Sequence, residues 1–115
     1  MPKLTLLFIA SAVVIITAIV TLLLNSNGQE ISKSEIDTAV NQAKHEYNQR
    51  KEKGGDFSNG PCLSNALMPG WVVDIAHSPR LLIDDLPENQ CSAYREGGAK
   101  HFVELDPEGN LIRAK

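Results

Sequence analysis

Apolar residues are concentrated near the start of the chain. A run that begins at Leu4 and ends at Leu24 holds 17 apolar residues among 21 and carries no charge. A helix of this length covers roughly 31 Å at about 1.5 Å per residue, and the hydrocarbon core of a bilayer is about 30 Å thick. The pattern therefore predicts a membrane anchor at residues 1–24 that spans the lipid bilayer once.

A cleaved signal peptide is the alternative interpretation of this run. Signal peptides have an apolar segment of about 7 to 15 residues, followed by small residues at the cleavage site. The sequence LLLNSNGQ after the run offers no such site, so an uncleaved anchor is favoured. Lys3 precedes the span, which favours a short cytoplasmic N-terminus. We expect a single-pass protein of the cytoplasmic membrane with its C-terminal part outside.

A polar, turn-prone linker at residues 25–31 separates the anchor from a predicted extracytoplasmic domain at residues 32–115. Ser32 and Glu35 have the spacing of a capping box, in which the Ser32 hydroxyl accepts from the Glu35 amide and the Glu35 carboxylate returns to the cap. The start of a helix is therefore expected here.

An apolar stripe at three- and four-residue spacing predicts an amphipathic helix over residues 33–53. Its members are Ile36, Ala39, Val40, Ala43 and Tyr47. Gly54 and Gly55 are expected to end the helix. A coiled-coil seam is a second interpretation, but two heptads are too few for one. We expect the stripe to cover one face of a sheet.

Residues 56–115 show short apolar runs between turn residues, which is typical of a sheet. Residues 71–77 are rich in β-branched and aromatic side chains and predict a strand. Residues 81–83 predict a second, shorter strand, and residues 84–89 an acidic turn around Pro87.

The last residues have the pattern of a β-hairpin. Residues 101–105 and 110–114 flank a turn that has Asp106 at its first position, Pro107 at its second and Gly109 at its fourth. In the first strand, Val103 and Leu105 are expected to share one face and Phe102 and Glu104 the other. The predicted fold class is α+β: a transmembrane helix, an amphipathic helix and a small antiparallel sheet of three to four strands.

Composition limits the function classes open to the part beyond the anchor. Of its 91 residues about a third are apolar, and 14 acidic side chains outnumber 10 basic ones. This composition excludes a multidomain enzyme or a large buried cavity, and leaves too little core for a pocket. No basic stripe is present to neutralise phosphates, so a nucleic-acid partner is not expected. No pattern indicates a cofactor.

Two cysteines, Cys62 and Cys91, lie in the part of the chain expected outside the membrane. An even number of cysteines in a small extracytoplasmic domain favours a disulfide. Closing a loop of about 30 residues stabilises a fold by roughly 3 to 4 kcal/mol in the chain-entropy model.

A thiol nucleophile is the alternative use of these cysteines. Cys62 or Cys91 would act as the thiolate, His77 or His101 as the base, and Asp74 would orient the imidazole. The spacing of these residues is not diagnostic, because such an arrangement forms in space and not along the sequence.

The candidate metal ligands are Asp74 with His77, and the acidic turn of Asp84, Asp85 and Glu88. On a strand, residues three apart point to opposite faces, and the acidic turn lacks the spacing of a calcium loop. No metal site is therefore expected. Trp71 and Tyr94 are expected in the core, although either residue is also suited to a binding surface.

The segments GPCLSNALMPGWVVDIAHSPR, IDDLPENQCSAYREG and HFVELDPEGNLIRAK resemble an uncharacterised family of short, single-span prokaryotic proteins. The resemblance covers residues 56–115. It implies that this block is one recurring unit, and it supplies no activity, ligand or catalytic residue.

The sequence as a whole favours a non-enzymatic, membrane-tethered interaction or structural module outside the cytoplasmic membrane. We expect a protein partner at the membrane surface. A thiol-dependent hydrolase or redox protein is the main alternative, and a tethered ligand sensor is a third. The non-enzymatic hypothesis is placed first because no set of residues in the sequence has the pattern of a catalytic site.

Overall fold

The computed structural model describes residues 11, 13–17, 19 and 30–115. The chain divides into two compact units, Met1–Glu30 and Ile31–Lys115. In the first unit the described residues are all exposed, and all of them except Glu30 are helical. The rest of the predicted anchor, and most of the predicted linker, lies outside the described residues. Among those that are described, no helix has the length and apolar character needed to cross a membrane. The anchor stays a prediction.

The second unit has an α+β fold, as the sequence predicts. One long helix comes first, two strands follow, and a connection of short helical turns leads to the last two strands. In chain order these are α1 (Lys33–Glu52), β1 (Cys62–Met68), β2 (Trp71–Ile75), the 3₁₀ helices Leu82–Asp85 and Pro87–Asn89, α2 (Ser92–Arg95), β3 (His101–Leu105) and β4 (Leu111–Ala114).

The sheet is mixed, so the prediction of an antiparallel sheet is wrong. Its strand order is β1-β2-β3-β4. The outer pairs are antiparallel, whereas β2 and β3 are parallel and pair from Trp71 with His101 to Ile75 with Leu105. A parallel pair needs a crossover of a dozen residues or more, and residues 76–100 supply it. This connection carries the 3₁₀ helices and α2.

Two local predictions in the sheet region are also wrong. Residues 81–83 do not form a strand. Leu82 and Ile83 belong to the first 3₁₀ helix, and Leu81 is its N-cap, where the Asp84 carboxylate accepts from the Leu81 amide at 2.8 Å. Leu82 is 89% exposed, so it has no core to join. The strand predicted over residues 71–77 ends at Ile75.

Strand β1 was not predicted from the sequence. Its residues CLSNALM include polar side chains, and its pairing with β2 shifts register twice, between Cys62 and Ser64 and between Ser64 and Met68. Such irregularities interrupt the alternation of apolar and polar residues that identifies a strand.

Both ends of α1 form as predicted, with one exception. The Ser32 hydroxyl accepts from the Glu35 amide at 3.1 Å, which confirms the N-cap. The Glu35 carboxylate does not return to the cap, because it accepts from the Trp71 indole nitrogen at 2.9 Å. At the other end Gly54 has a φ of 78°, and the Gly55 amide donates to the Arg50 carbonyl at 2.9 Å, as in a Schellman motif.

The main core lies between α1 and one face of the sheet. Ala39, Ala43 and Tyr47 of the predicted stripe are buried there, and Ile36 and Val40 are packed at its edge. The sheet contributes residues that alternate along the strands, as a pleated strand requires. These are Leu63, Trp71, Val73, Ile75, Val103 and Leu105.

A smaller cluster lies on the other face of the sheet, where Val72, Cys91, Ala99 and Phe102 are buried together. The predicted faces of β3 are therefore confirmed. Cys62 and Cys91 form a disulfide with an S–S distance of 2.07 Å, which also confirms that prediction. It joins β1 to the crossover connection that covers this second face.

Candidate functional site

A cleft of about 390 Å³ opens on the sheet face that carries the smaller cluster. Side chains at alternate positions of β2 and β3 form its floor, and the crossover connection and the end of β4 form its walls. The lining residues are Val72, Asp74, Arg80, Gln90, Cys91, Tyr94, Arg95, Phe102, Glu104, Arg113 and Lys115. Four of these side chains are basic and two are acidic, so the cleft carries an excess of positive charge.

Glu104 is 5% exposed and has a partner for each carboxylate oxygen. Arg80 Nη1 donates to Oε2 at 3.0 Å, and Arg113 Nε donates to Oε1 at 3.1 Å. A buried carboxylate requires such partners, because an unpaired charge in the interior is costly. Glu104 is thus fully paired within the protein.

Arg80 is positioned by three oxygens at once. Besides Glu104, its Nε donates to Asp85 Oδ1 at 2.9 Å and its Nη2 to the Asp84 carbonyl at 3.4 Å. The Asp85 hydrogen bond is the main reason that the pKa of Arg80 is raised, even though partial burial lowers it. The guanidinium is therefore a fixed positive charge at one wall of the cleft.

Asp74 is the second carboxyl group in the cleft, and its environment is different. Its Oδ1 is buried and has no hydrogen-bond partner among the described residues. Burial, and secondly the charge of Glu104, raise the pKa of Asp74 to about 7, against the opposing effect of Arg80 and Arg113. Near neutral pH Asp74 is thus present in both its acid and its ionised form.

Aromatic rings form an apolar wall beside these charges. The Tyr94 ring meets the Phe102 ring edge to face, with centroids 5.2 Å apart. The Arg113 guanidinium lies 5.1 Å and the Lys115 ammonium 5.8 Å from the Phe102 centroid, which are cation–π distances. Tyr94 is 44% exposed, so its expected place in the core is wrong, whereas Trp71 is fully buried as expected.

Two of the basic side chains of the cleft have no acidic partner in the described part of the chain. Arg80 and Arg113 bind Glu104, but within residues 30–115 neither Arg95 nor Lys115 forms an ion pair. The backbone of Lys115 exchanges two hydrogen bonds with Phe102, at 2.9 and 3.0 Å, which holds this residue beside the cleft. Arg95 is the last residue of α2.

The residues of the hypothetical thiol site do not assemble. Cys62 lies opposite Asp74 in the β1–β2 pair, but its sulfur is bonded to Cys91, and no free cysteine is present in the described part of the chain. His77 Nδ1 lies 2.8 Å from Asp84 Oδ1 and so has a carboxylate other than Asp74 as its partner. The other candidate base, His101, packs on the Trp71 ring.

Asp84 organises the loop after β2. Its Oδ2 accepts from the backbone amides of His77 and Leu81 at 3.0 and 2.8 Å. Burial alone would raise the pKa of Asp84, but these hydrogen bonds and the His77 ring hold it below its usual range. The Asp84 side chain is therefore a structural carboxylate. Residues 30–115 and the described part of the N-terminal unit contain no cluster of three potential metal ligands.

Sequence reasoning identified Asp74 but missed most of the cleft. Phe102 and Glu104 were expected on one sheet face, but alternation within one strand does not show that Val72 and Asp74 lie beside them. The basic residues gave no signal, because they lie on separate elements. The sequence predicted no pocket, because the chain has few apolar residues to form one. The cleft forms nevertheless, because most of its walls consist of charged side chains and not of apolar ones.

Comparisons of the chain with models of protein families, with characterised proteins and with solved structures find no match.

Proposed function

We propose that the chain is a membrane-tethered binding module. The apolar run from Leu4 to Leu24 would anchor it in the cytoplasmic membrane, with the disulfide-bonded domain outside. The partner would bind in the cleft over Asp74 and Glu104. The family resemblance over residues 56–115 is part of this proposal and assigns no partner.

The observation that carries the proposal is the buried Oδ1 of Asp74, which has no hydrogen-bond partner among the described residues, in an open cleft with an excess of basic side chains. Buried polar groups in folded proteins almost always have hydrogen-bond partners, so an exception needs an explanation. A bound partner that uses Asp74 supplies one. The volume of the cleft, about 390 Å³, is within the range of about 300 to 1,000 Å³ typical of ligand sites.

The disulfide supports the proposed location. Disulfides persist in oxidising compartments and are rare in the cytosol. The thiol-dependent alternative has less support, because the two sulfurs are bonded to each other and Cys91 is only 3% exposed.

Photo-crosslinking in intact membranes tests the binding site. A photoreactive residue in place of Tyr94, at the mouth of the cleft, is expected to give a crosslinked product, and the same residue in place of Gln42 on α1 is not. Adding Arg95→Glu to the Tyr94 variant should abolish the product. Equal labelling at both positions, or none at Tyr94, would contradict the proposed site.

Topology is tested separately with a reporter fused after Lys115. A reporter that functions only outside the cytoplasm should be active, and one that functions only inside should be silent. The opposite pattern would reject the proposed orientation.

A further inference from the structure

We propose that the cleft is a carboxylate-binding site in which the acid form of Asp74 donates a hydrogen bond to the ligand and Arg95 and Lys115 neutralise its charge. This inference rests on the proposed binding function and specifies the chemistry of the ligand. The carboxylate would be carried on an apolar or aromatic group.

The charges of the cleft select an anion. Each oxygen of Glu104 accepts from an arginine, so its negative charge is already balanced by Arg80 and Arg113 within the protein. Arg95 and Lys115 have no acidic partner among residues 30–115. A positive field of this kind attracts anions and repels cations at the entrance.

Asp74 completes the site because it is the one lining carboxyl with a buried oxygen that lacks a partner in the described chain. The charged groups that act on it are Glu104 on β3, Arg80 in the crossover and Arg113 at β4. Glu104 disfavours the ionised form of Asp74, and a bound anion would disfavour it further. A carboxylate ligand, which accepts hydrogen bonds, therefore pairs with the acid form as donor.

The apolar part of the ligand follows from the other wall. Tyr94 presents ring surface next to the cations, and the buried Phe102 and Val72 form part of the floor. Aromatic rings prefer offset or edge-to-face contacts, which the exposed side of Tyr94 can offer to a further ring. A phenyl-substituted acid matches this combination of charge and surface.

Calorimetric titration of the full chain in detergent micelles at pH 6 tests the ligand class. The probes are 3-phenylpropanoate, its neutral amide and 3-phenylpropylamine. We expect the acid to bind at least tenfold more tightly than the amide, and the amine more weakly still. Equal affinity for acid and amide, preference for the amine, or no binding of the acid would overturn the proposal.

A second pair of probes distinguishes a free acid from a protein segment as the source of the carboxylate. Acetyl-Ala-Ala-Phe with a free C-terminus is compared with the same peptide amidated. In either case the acid should bind more tightly than its amide. Tighter binding of the peptide acid than of 3-phenylpropanoate identifies a protein segment, and the reverse order identifies a small molecule.

The role of Asp74 predicts a pH dependence. With a pKa of about 7, most of Asp74 loses its proton between pH 6 and pH 8, so the affinity for 3-phenylpropanoate should fall about tenfold. Asp74→Asn keeps a hydrogen-bond donor and should bind with a flat pH profile. The matched control Glu108→Gln, on the exposed β3–β4 turn, should keep the tenfold change.

Arg95→Gln and Lys115→Gln should each weaken binding of the acid several-fold, with unchanged circular dichroism and thermal midpoint as evidence of folding. Unchanged affinity in both variants would overturn the assignment of the cations. A preference for the amine with an intact Tyr94 crosslink would reject the carboxylate and leave the binding function standing. Loss of the crosslink would remove the binding function itself.

Discussion

Asp74 and Glu104 lie directly opposite each other in the parallel β2–β3 pair, yet among the described residues only Glu104 has ionic partners. Their side chains share one face because paired residues of adjacent strands point the same way. Two arginines donate to Glu104, whereas burial and the Glu104 charge favour the acid form of Asp74. Neighbouring carboxyl groups with such different environments often mark a functional site.

The raised pKa of Asp74 predicts how stability depends on pH. The folded protein keeps a proton that the unfolded chain releases near pH 4, so stability falls as the pH rises from about 4 to about 7. Asp74→Asn removes this loss. At pH 8 the variant should be more stable than the wild type by up to about 4 kcal/mol, and at pH 4 equally stable. Urea unfolding at the two pH values measures the difference.

The control for that experiment is Asp56→Asn. Hydrogen bonds from Ser58 lower the pKa of this exposed carboxyl. Its replacement should therefore give no gain at pH 8. A gain in stability at pH 8 in both variants, or in neither, would show that Asp74 does not have the proposed environment.

The disulfide contributes to stability through the loop that it closes. Cys62 and Cys91 are 29 positions apart. Replacing both with alanine should lower the free energy of unfolding by about 3 to 4 kcal/mol. Wild-type protein unfolded in the presence of a reductant should lose a similar amount. Equal stability of the double variant and the oxidised wild type would contradict the structural role of the bond.

Gly109 is required for the contact between the β3–β4 turn and α1. Its φ is 89°, and a Cβ at this position would lie 2.5 Å from Cε1 of Tyr47. The Tyr47 hydroxyl also donates to the Pro107 carbonyl at 2.8 Å, so the ring cannot move away freely. Gly109→Ala should therefore destabilise the domain through both backbone strain and steric overlap.

Gly97 provides the matched control for Gly109. Its φ is 80°, but a Cβ at this position would have no described atom within 4 Å outside the adjacent residues. Gly97→Ala should cost about 1 to 2 kcal/mol for the left-handed backbone alone. The thermal unfolding midpoint of Gly109→Ala should be clearly lower than that of Gly97→Ala. Equal losses would mean that Tyr47 does not restrict the turn.

The hydrogen bond from Trp71 to Glu35 links the sheet to the first turn of α1. Glu35→Ala leaves the buried indole N–H without an acceptor and should cost about 1 to 3 kcal/mol. Glu35→Gln retains an acceptor and should cost less. Glu46→Ala, which removes a partly exposed ion pair with Arg50 on the same helix, should change stability by less than about 1 kcal/mol. A larger effect at Glu46 than at Glu35 would contradict this account.

Local patterns in the sequence were sufficient for α1, the final hairpin and the disulfide. The stripe that ends at Tyr47 and the turn at Asp106 are short-range signals, and the structure has both. The parallel pairing of β2 with β3 was not predictable in this way. It depends on a crossover that brings Trp71 beside His101, and no local pattern specifies that choice.

The cleft was largely unpredictable for the same reason. Asp74, Arg95 and Glu104 come from three different elements, and only the completed sheet brings them together. The capping-box expectation for Glu35 was wrong in its second half, since the sequence does not show that a buried indole competes for the carboxylate. Long-range contacts decided each of these outcomes.

The titration of Asp74 is the most direct test of its proposed role in the cleft. The ¹³C shift of its side-chain carboxyl, followed by NMR in the full chain, should report a pKa of about 7. Saturation with 3-phenylpropanoate should raise this pKa further, because the bound anion stabilises the acid form. A pKa near 4 that does not change on addition of the ligand would contradict both the environment of Asp74 and its role in binding.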